Sequence, residues 1–132
     1  VNFIKNYDPS IPQLMLNRNQ LIQALMNIIR NAVQAVSHNG NVEIKTRPIQ
    51  KFTIGDKKHD LVVKIDVIDN GIGIPQDKVK EIFYPMVTSK QDGMGLGLTI
   101  AQSIIIQNNG IIECQSHQNK TIFTLILPWT TE

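Results

Sequence analysis

Three groups of residues have types and spacings suited to nucleotide chemistry. The run Gly93-Met94-Gly95-Leu96-Gly97-Leu98 opens directly onto a helix-like stretch from Thr99 to Asn108. Glycines let backbone N–H groups approach an anion with no Cβ in the way, and a helix start behind them offers unpaired N–H groups and partial positive charge. A tight, closely packed turn is the plainer alternative. Spacing excludes the familiar glycine loops. No G-x-x-x-x-G-K-[ST] occurs, and Leu98 stands where the third glycine of G-x-G-x-x-G would fall.

The second group is Asn27 and Asn31, one turn apart on a predicted helix and expected to flank its apolar stripe. An asparagine carbonyl is a neutral oxygen ligand for a hard cation such as Mg²⁺, which keeps several waters and borrows phosphate oxygens. Ordinary polar helix-face residues are the other reading. The third group is Asp69-x-Gly71-x-Gly73, directly after an apolar strand. A carboxylate there can accept a hydrogen bond from an exocyclic amine such as adenine N6, worth about 1.5–3 kcal/mol if shielded. Asp is also common in turns that follow strands.

The elements that must position these groups follow from periodicity. Val1 to Lys5 reads as a short strand and Asp8 to Pro12 as a proline-punctuated connection. From Arg18 to Val36, the residues Leu21, Leu25, Ile28, Ile29, Ala32 and Val36 recur at helical spacing, with Gly40 available for a left-handed cap. Val42 to Pro48 and Leu61 to Ile68 read as an antiparallel hairpin, joined by a polar segment with Gly55-Asp56 as its turn. Val63, Ile65 and Val67 face one way there, Lys64 and Asp66 the other. A short helix is predicted from Gln76 to Phe83, then a mobile segment from Tyr84 to Met94. The helix after the glycines should bury Leu98, Ala101, Ile104 and Ile105 and stop at Asn109-Gly110, followed by strands Ile111 to Gln115 and Thr121 to Leu127. This order predicts an α/β (α+β) two-layer sandwich, with helices on one face of a mostly antiparallel sheet.

At 132 residues the chain suits one domain, and 13 basic against 11 acidic residues leave no basic stripe of the kind a nucleic-acid binder shows. No apolar run approaches the roughly 20 residues that span a bilayer, so no membrane segment is expected. The single cysteine, Cys114, cannot form an internal disulfide and is expected to pack as a small apolar residue, in keeping with a cytoplasmic location. The start at Val1 suggests a piece of a longer protein.

With N-x-x-x-N, D-x-G-x-G and G-x-G-x-G-L in this order, the chain resembles the GHKL nucleotide-binding family of histidine kinases, gyrase, Hsp90 and MutL over residues 1–132. Asn27 to Ala32 looks like the family's N box, Asp69 to Ile74 its G1 box, Phe83-Tyr84-Pro85 its F box and Gly93 to Leu98 its G2 box. The strand Thr121 to Pro128 resembles the last strand of histidine-kinase catalytic domains, and Phe83 to Val87 with Asp66 to Gly71 resemble nitrogen-regulation sensor kinases of the NtrB type. The resemblance implies a Bergerat-type fold, ATP and Mg²⁺ as cofactors, and phosphoryl transfer to a histidine.

It assigns Asn31 to the metal and Asn27 to the metal and phosphate side. It assigns Asp69 to adenine, the backbone of Gly93, Met94, Gly95, Leu96 and Gly97 to phosphates, and Gly71, Gly73, Ile74 and Leu98 to nucleotide binding. Lys90 falls to the terminal phosphates and Thr124 to the nucleotide. Asn27, Asn31 and Lys90 are the implied catalytic residues. Where the ATPase branches carry a water-activating glutamate this chain has Asn27, an amide with no useful proton affinity near neutral pH. Two positions depart from the kinase pattern: Gln34 replaces a common basic residue, and Asn17 the usual acidic residue ahead of the N box.

His38, His59 and His117 do not resemble a phosphoacceptor motif. The acceptor is therefore expected on a separate dimerisation domain of the same kinase, with the piece alone monomeric and the full protein a homodimer. A response regulator of the NtrC type and the signalling protein PII are the implied partners. An ATPase that couples hydrolysis to conformational change, and a non-catalytic nucleotide-binding module, are the alternatives.

Overall fold

Helix α1, Arg18–Ala35, begins where the Asn17 side chain accepts the Gln20 N–H at 3.0 Å, so the residue that departs from the acidic pattern serves as an N-cap. The computed structural model describes residues 1–10, 17–36, 39–74, 76–79, 94–117 and 119–129. Along α1, Ala24, Ile28, Asn31 and Ala32 are buried, while Leu21, Leu25, Ile29, Val33 and Val36 pack half-buried around them. The helix stops with Val36 in an extended conformation. Gly40 is not left-handed as expected; it is buried, and its carbonyl accepts the Asn2 N–H at 2.8 Å.

Strands β1 (Asn2–Asn6), β2 (Asn41–Ile54), β3 (Lys57–Asp69), β4 (Ile111–His117) and β5 (Lys120–Pro128) form one sheet in the order β1-β2-β3-β5-β4. Only β1 is parallel to its neighbour; the other three pairings are antiparallel. The β2–β3 hairpin is longer than its apolar pattern predicts. The polar segment continues the ladder through Phe52↔His59 and Ile54↔Lys57, and Gly55 takes φ 63° at the first central position of a two-residue turn. Beyond Val62 this part of β3 no longer pairs with β5, so it needs no buried face and tolerates polar residues.

Helix α2 covers Gln76–Val79; the remainder of the predicted helix to Phe83 lies outside the described residues. Helix α3, Met94–Gln107, buries Leu98, Ala101, Ile104 and Ile105 as expected. At its end Asn109 takes φ 65°, with Asn109 N–H donating to the Ile106 carbonyl at 2.9 Å and Gly110 N–H to that of Ile105 at 2.9 Å. This is a Schellman stop with asparagine as its left-handed residue.

Helices α1 and α3 pack on one face of the sheet. Their buried side chains form a single core with Val42, Val63, Ile65, Val67, Ile112, Phe123, Leu125 and Leu127. Each fully buried Ile or Leu contributes roughly 1.5–3 kcal/mol, so this face holds the layers together. The architecture is the two-layer sandwich that periodicity predicts. No helix among the described residues is long and apolar enough to cross a membrane.

Candidate functional site

A row of polar side chains crosses the sheet where β3 ends. Asp69 pairs with Thr121 of β5, and Thr121 pairs with Ser116 of β4, all on the helix-covered face and each 2% exposed. The Asp69 carboxylate accepts the Gly71 N–H at 2.9 Å, its one donor among the described residues. Burial pushes its pKa above the ordinary carboxylate value, and the Gly71 hydrogen bond pulls the other way. A buried carboxylate with so little support is poised to accept from a ligand.

The turn after Asp69 is built for close approach. A Cβ on Gly71 would fall onto the carbonyl of Ala35, the last residue of α1. Gly73 takes φ 84°, and a Cβ there would meet the His117 carbonyl oxygen at 2.7 Å. Only glycine fits either position without a backbone shift. The turn is then pinned by Ile74 N–H, which donates to Ser116 Oγ at 2.6 Å.

Asn31 arrives from the other layer. It lies within the buried stripe of α1, three residues after Ile28, and is only 7% exposed; the expectation that both asparagines would flank the stripe holds for half-buried Asn27 alone. Asn31 Oδ1 is buried and has no hydrogen-bond partner among the described residues. An orphaned amide oxygen costs about 1–3 kcal/mol, so its retention beside a cavity fits an oxygen that receives a cation or donor when the site fills. No cluster of three His, Cys, Asp or Glu side chains among the described residues offers another metal site.

Asn31, Gln34, Ala35, Asp69, Ile72, Gly73, Ile74 and Thr121 line one cavity of about 230 Å³. Ile72, 83% exposed, gives its rim a large apolar side chain. Asn27 is not among the lining residues. Cys114 lies on the same face of β4, its thiol pushed up to about 12 by burial and then by the charge of Asp69, so it stays protonated. A larger groove of about 420 Å³ crosses the open face of the sheet, but its buried carboxylate, Asp66, is already held by Thr124 Oγ1 at 2.6 Å and by Lys64 at 3.7 Å, and its other carboxylate, Glu113, is exposed. Among the described residues, the buried oxygen without a partner, Asn31 Oδ1, belongs to the smaller cavity.

Two sequence assignments change. Thr124 lies on the open face with Ile122 and Ile126, because successive strand residues alternate faces; Thr121 holds the position beside Asp69. Met94, Gly95, Leu96 and Gly97 form the first turn of α3 instead of a loop that ends before Thr99. The first N–H groups of a helix have no intrahelical partner, which suits them to an anion. The Leu98 side chain is fully buried in the core. Lys90, Gly93 and the segment Phe83-Tyr84-Pro85 lie outside the described residues.

Residues 16–131 match the family model described as histidine kinase-, DNA gyrase B-, and HSP90-like ATPase. The chain belongs to this family. Its fold is therefore that of a GHKL histidine kinase ATPase domain, which implies a capacity for ATP and Mg²⁺. A sensory histidine kinase/phosphatase NtrB of Proteus hauseri is 44% identical over 129 residues, covering 97% of this chain and 37% of its own length. The Vibrio alginolyticus NtrB is 40% identical over 126 residues, covering 94% and 36%. The chain thus spans little more than a third of these relatives. The catalytic domain of histidine kinase ThkA superposes with a TM-score of 0.82 at 28% identity, covering 98% of this chain and 79% of that one.

Sequence reasoning missed Thr121 and Ser116. Their signal lies in strand parity, readable only once β5 is known to pair with β3 at Asp69↔Thr121.

Proposed function

We propose that residues 1–132 are the catalytic and ATP-binding unit of a longer cytoplasmic, homodimeric sensor kinase of the NtrB type. It binds Mg-ATP and transfers the γ-phosphoryl group to a histidine on the dimerisation domain, for relay to an NtrC-type response regulator under PII control. The observation that carries the nucleotide reading is the shared cavity of Asn31 and Asp69: a buried amide oxygen without a partner on one side, a buried carboxylate acceptor on the other. The relatives at 40% and 44% identity support the NtrB-type assignment.

In this reading Asp69 accepts the adenine amino group, and Gly71 and Gly73 keep the wall open for the base. Asn31 Oδ1 is the metal ligand, with Asn27 one turn earlier toward the phosphates. A Mg²⁺ ion held by Asn31 there would supply neutralisation of the charge on the phosphoryl oxygens. The start of α3 supplies backbone N–H donors to phosphate, and Lys90 is assigned to the terminal phosphates. Asn27 cannot take a proton from water, so hydrolysis is disfavoured. A ring nitrogen of the acceptor histidine attacks Pγ, the bond from Pγ to the bridging oxygen breaks, and ADP leaves with the electron pair.

The test supplies a separately produced, histidine-bearing dimerisation domain with the chain and γ-labelled ATP. Acid-labile label on the histidine is expected, with loss of transfer in Asn31→Ala protein that remains folded. Transfer at the wild-type rate in that variant contradicts the site. ATP turnover without acceptor, well above background, would instead favour an ATPase and overturn the role given to Asn27.

A further inference from the structure

Ser116 does not line the cavity, yet it is 2% exposed and touches two of the segments that do. Its Oγ accepts the Ile74 N–H at 2.6 Å and lies 3.1 Å from Thr121 Oγ1. Thr121 in turn is the neighbour of Asp69 in the sheet register. A hydroxyl has one proton to give, so the direction of the Ser116–Thr121 bond decides what Thr121 offers the cavity.

We propose that Ser116 is a positioning residue for base selection: it gives its proton to Thr121 Oγ1 and thereby turns the Thr121 hydroxyl proton toward the bound base beside Asp69. Accepting the Ile74 amide leaves the Ser116 hydroxyl its own proton to give in this direction. The cavity then presents an acceptor, Asp69, next to a donor, Thr121. That order complements a ring edge with an amino group beside an unprotonated nitrogen, as in adenine. Guanine presents the reverse, a carbonyl oxygen beside a ring N–H. Asp69 alone attracts any exocyclic amine; the oriented hydroxyl adds the second point of discrimination. The inference rests on the cavity being the base end of a nucleotide site.

The experiment measures Mg-ATP and Mg-GTP affinity by calorimetry for the wild-type chain, Ser116→Ala, Ser116→Thr, Thr121→Val and the double variant Ser116→Ala/Thr121→Val. Wild type should prefer ATP. In Ser116→Ala that preference should fall roughly three- to tenfold, the worth of one oriented neutral hydrogen bond. Ser116→Thr, which keeps the hydroxyl, should restore it. Adding Ser116→Ala to Thr121→Val should change the preference no further, because the residue it orients is gone. A purely structural role would lower the melting temperature and weaken both nucleotides together. An unchanged ATP-to-GTP ratio in Ser116→Ala, or an equal drop in the Thr121→Val background, overturns the positioning role alone. A wild-type chain that binds no Mg-ATP sinks the nucleotide reading and this inference with it.

Discussion

Strand β3 carries two buried aspartates three residues apart, each opposite a threonine of β5: Asp66 with Thr124 on the open face, Asp69 with Thr121 on the helix-covered face. Asp66, 8% exposed, takes a 2.6 Å hydrogen bond from Thr124 Oγ1 and has the Lys64 ammonium 3.7 Å away. Asp69, 2% exposed, has the Gly71 N–H alone among the described residues, and the Oγ1 of its neighbour Thr121 lies 3.1 Å from Ser116 Oγ. The same residue pair thus occurs twice in one sheet, once satisfied and once left short. The first is a structural contact; the second is held incomplete beside a cavity, which is what a ligand site requires.

If that contrast is right, the largest effect belongs to Asp69→Asn. Mg-ATP affinity should fall roughly 10- to 100-fold, the worth of a shielded charge-assisted hydrogen bond. Asp66→Asn should leave affinity within experimental scatter. Next is Gly71→Ala, which drives a Cβ into the Ala35 carbonyl; denaturant unfolding should show a loss of about 1–3 kcal/mol, with nucleotide binding impaired as the turn shifts. Asp66→Asn and Thr124→Val should each cost about 1 kcal/mol of stability and no affinity, since they disturb a hydrogen bond on the far face. A loss of affinity in Thr124→Val would restore the assignment that strand parity removed.

The smallest effect is a pH slope. Burial raises the Asp69 pKa on folding, so the folded state holds its proton more tightly than the unfolded chain does. Its contribution to stability is full below the ordinary value of 3.8 and is lost as pH rises through the raised folded value. Above that window the ionised carboxylate weighs against the fold. Nucleotide-free Asp69→Asn protein should therefore be at least as stable as wild type at neutral pH and should lack this slope, as unfolding midpoints across acidic to neutral pH would show.

The two faces also explain what could be read beforehand. Asp69, Gly71 and Gly73 were legible because a strand end followed by alternate glycines demands an open turn. The layers were legible because the apolar periods of α1 and α3 are strong. Asn31 was placed on the right helix, but its burial depends on how α1 rolls against the sheet, which periodicity gives only to within a residue's width. Thr121 and Thr124 are interchangeable in sequence; their faces follow from the β3–β5 register, a long-range property. Helix α3 starts earlier than its glycines suggest, because the first turn of a helix tolerates them where packing further along holds the rest.

The most direct test is an amide-resolved NMR titration of the wild-type chain with Mg-ATP. The account predicts shifts concentrated at Asn31, Asp69, Gly71, Gly73 and Thr121, with Lys64, Asp66 and Thr124 little changed. Shifts centred on Asp66 and Thr124, with the Asn31 and Asp69 region unmoved, would contradict it.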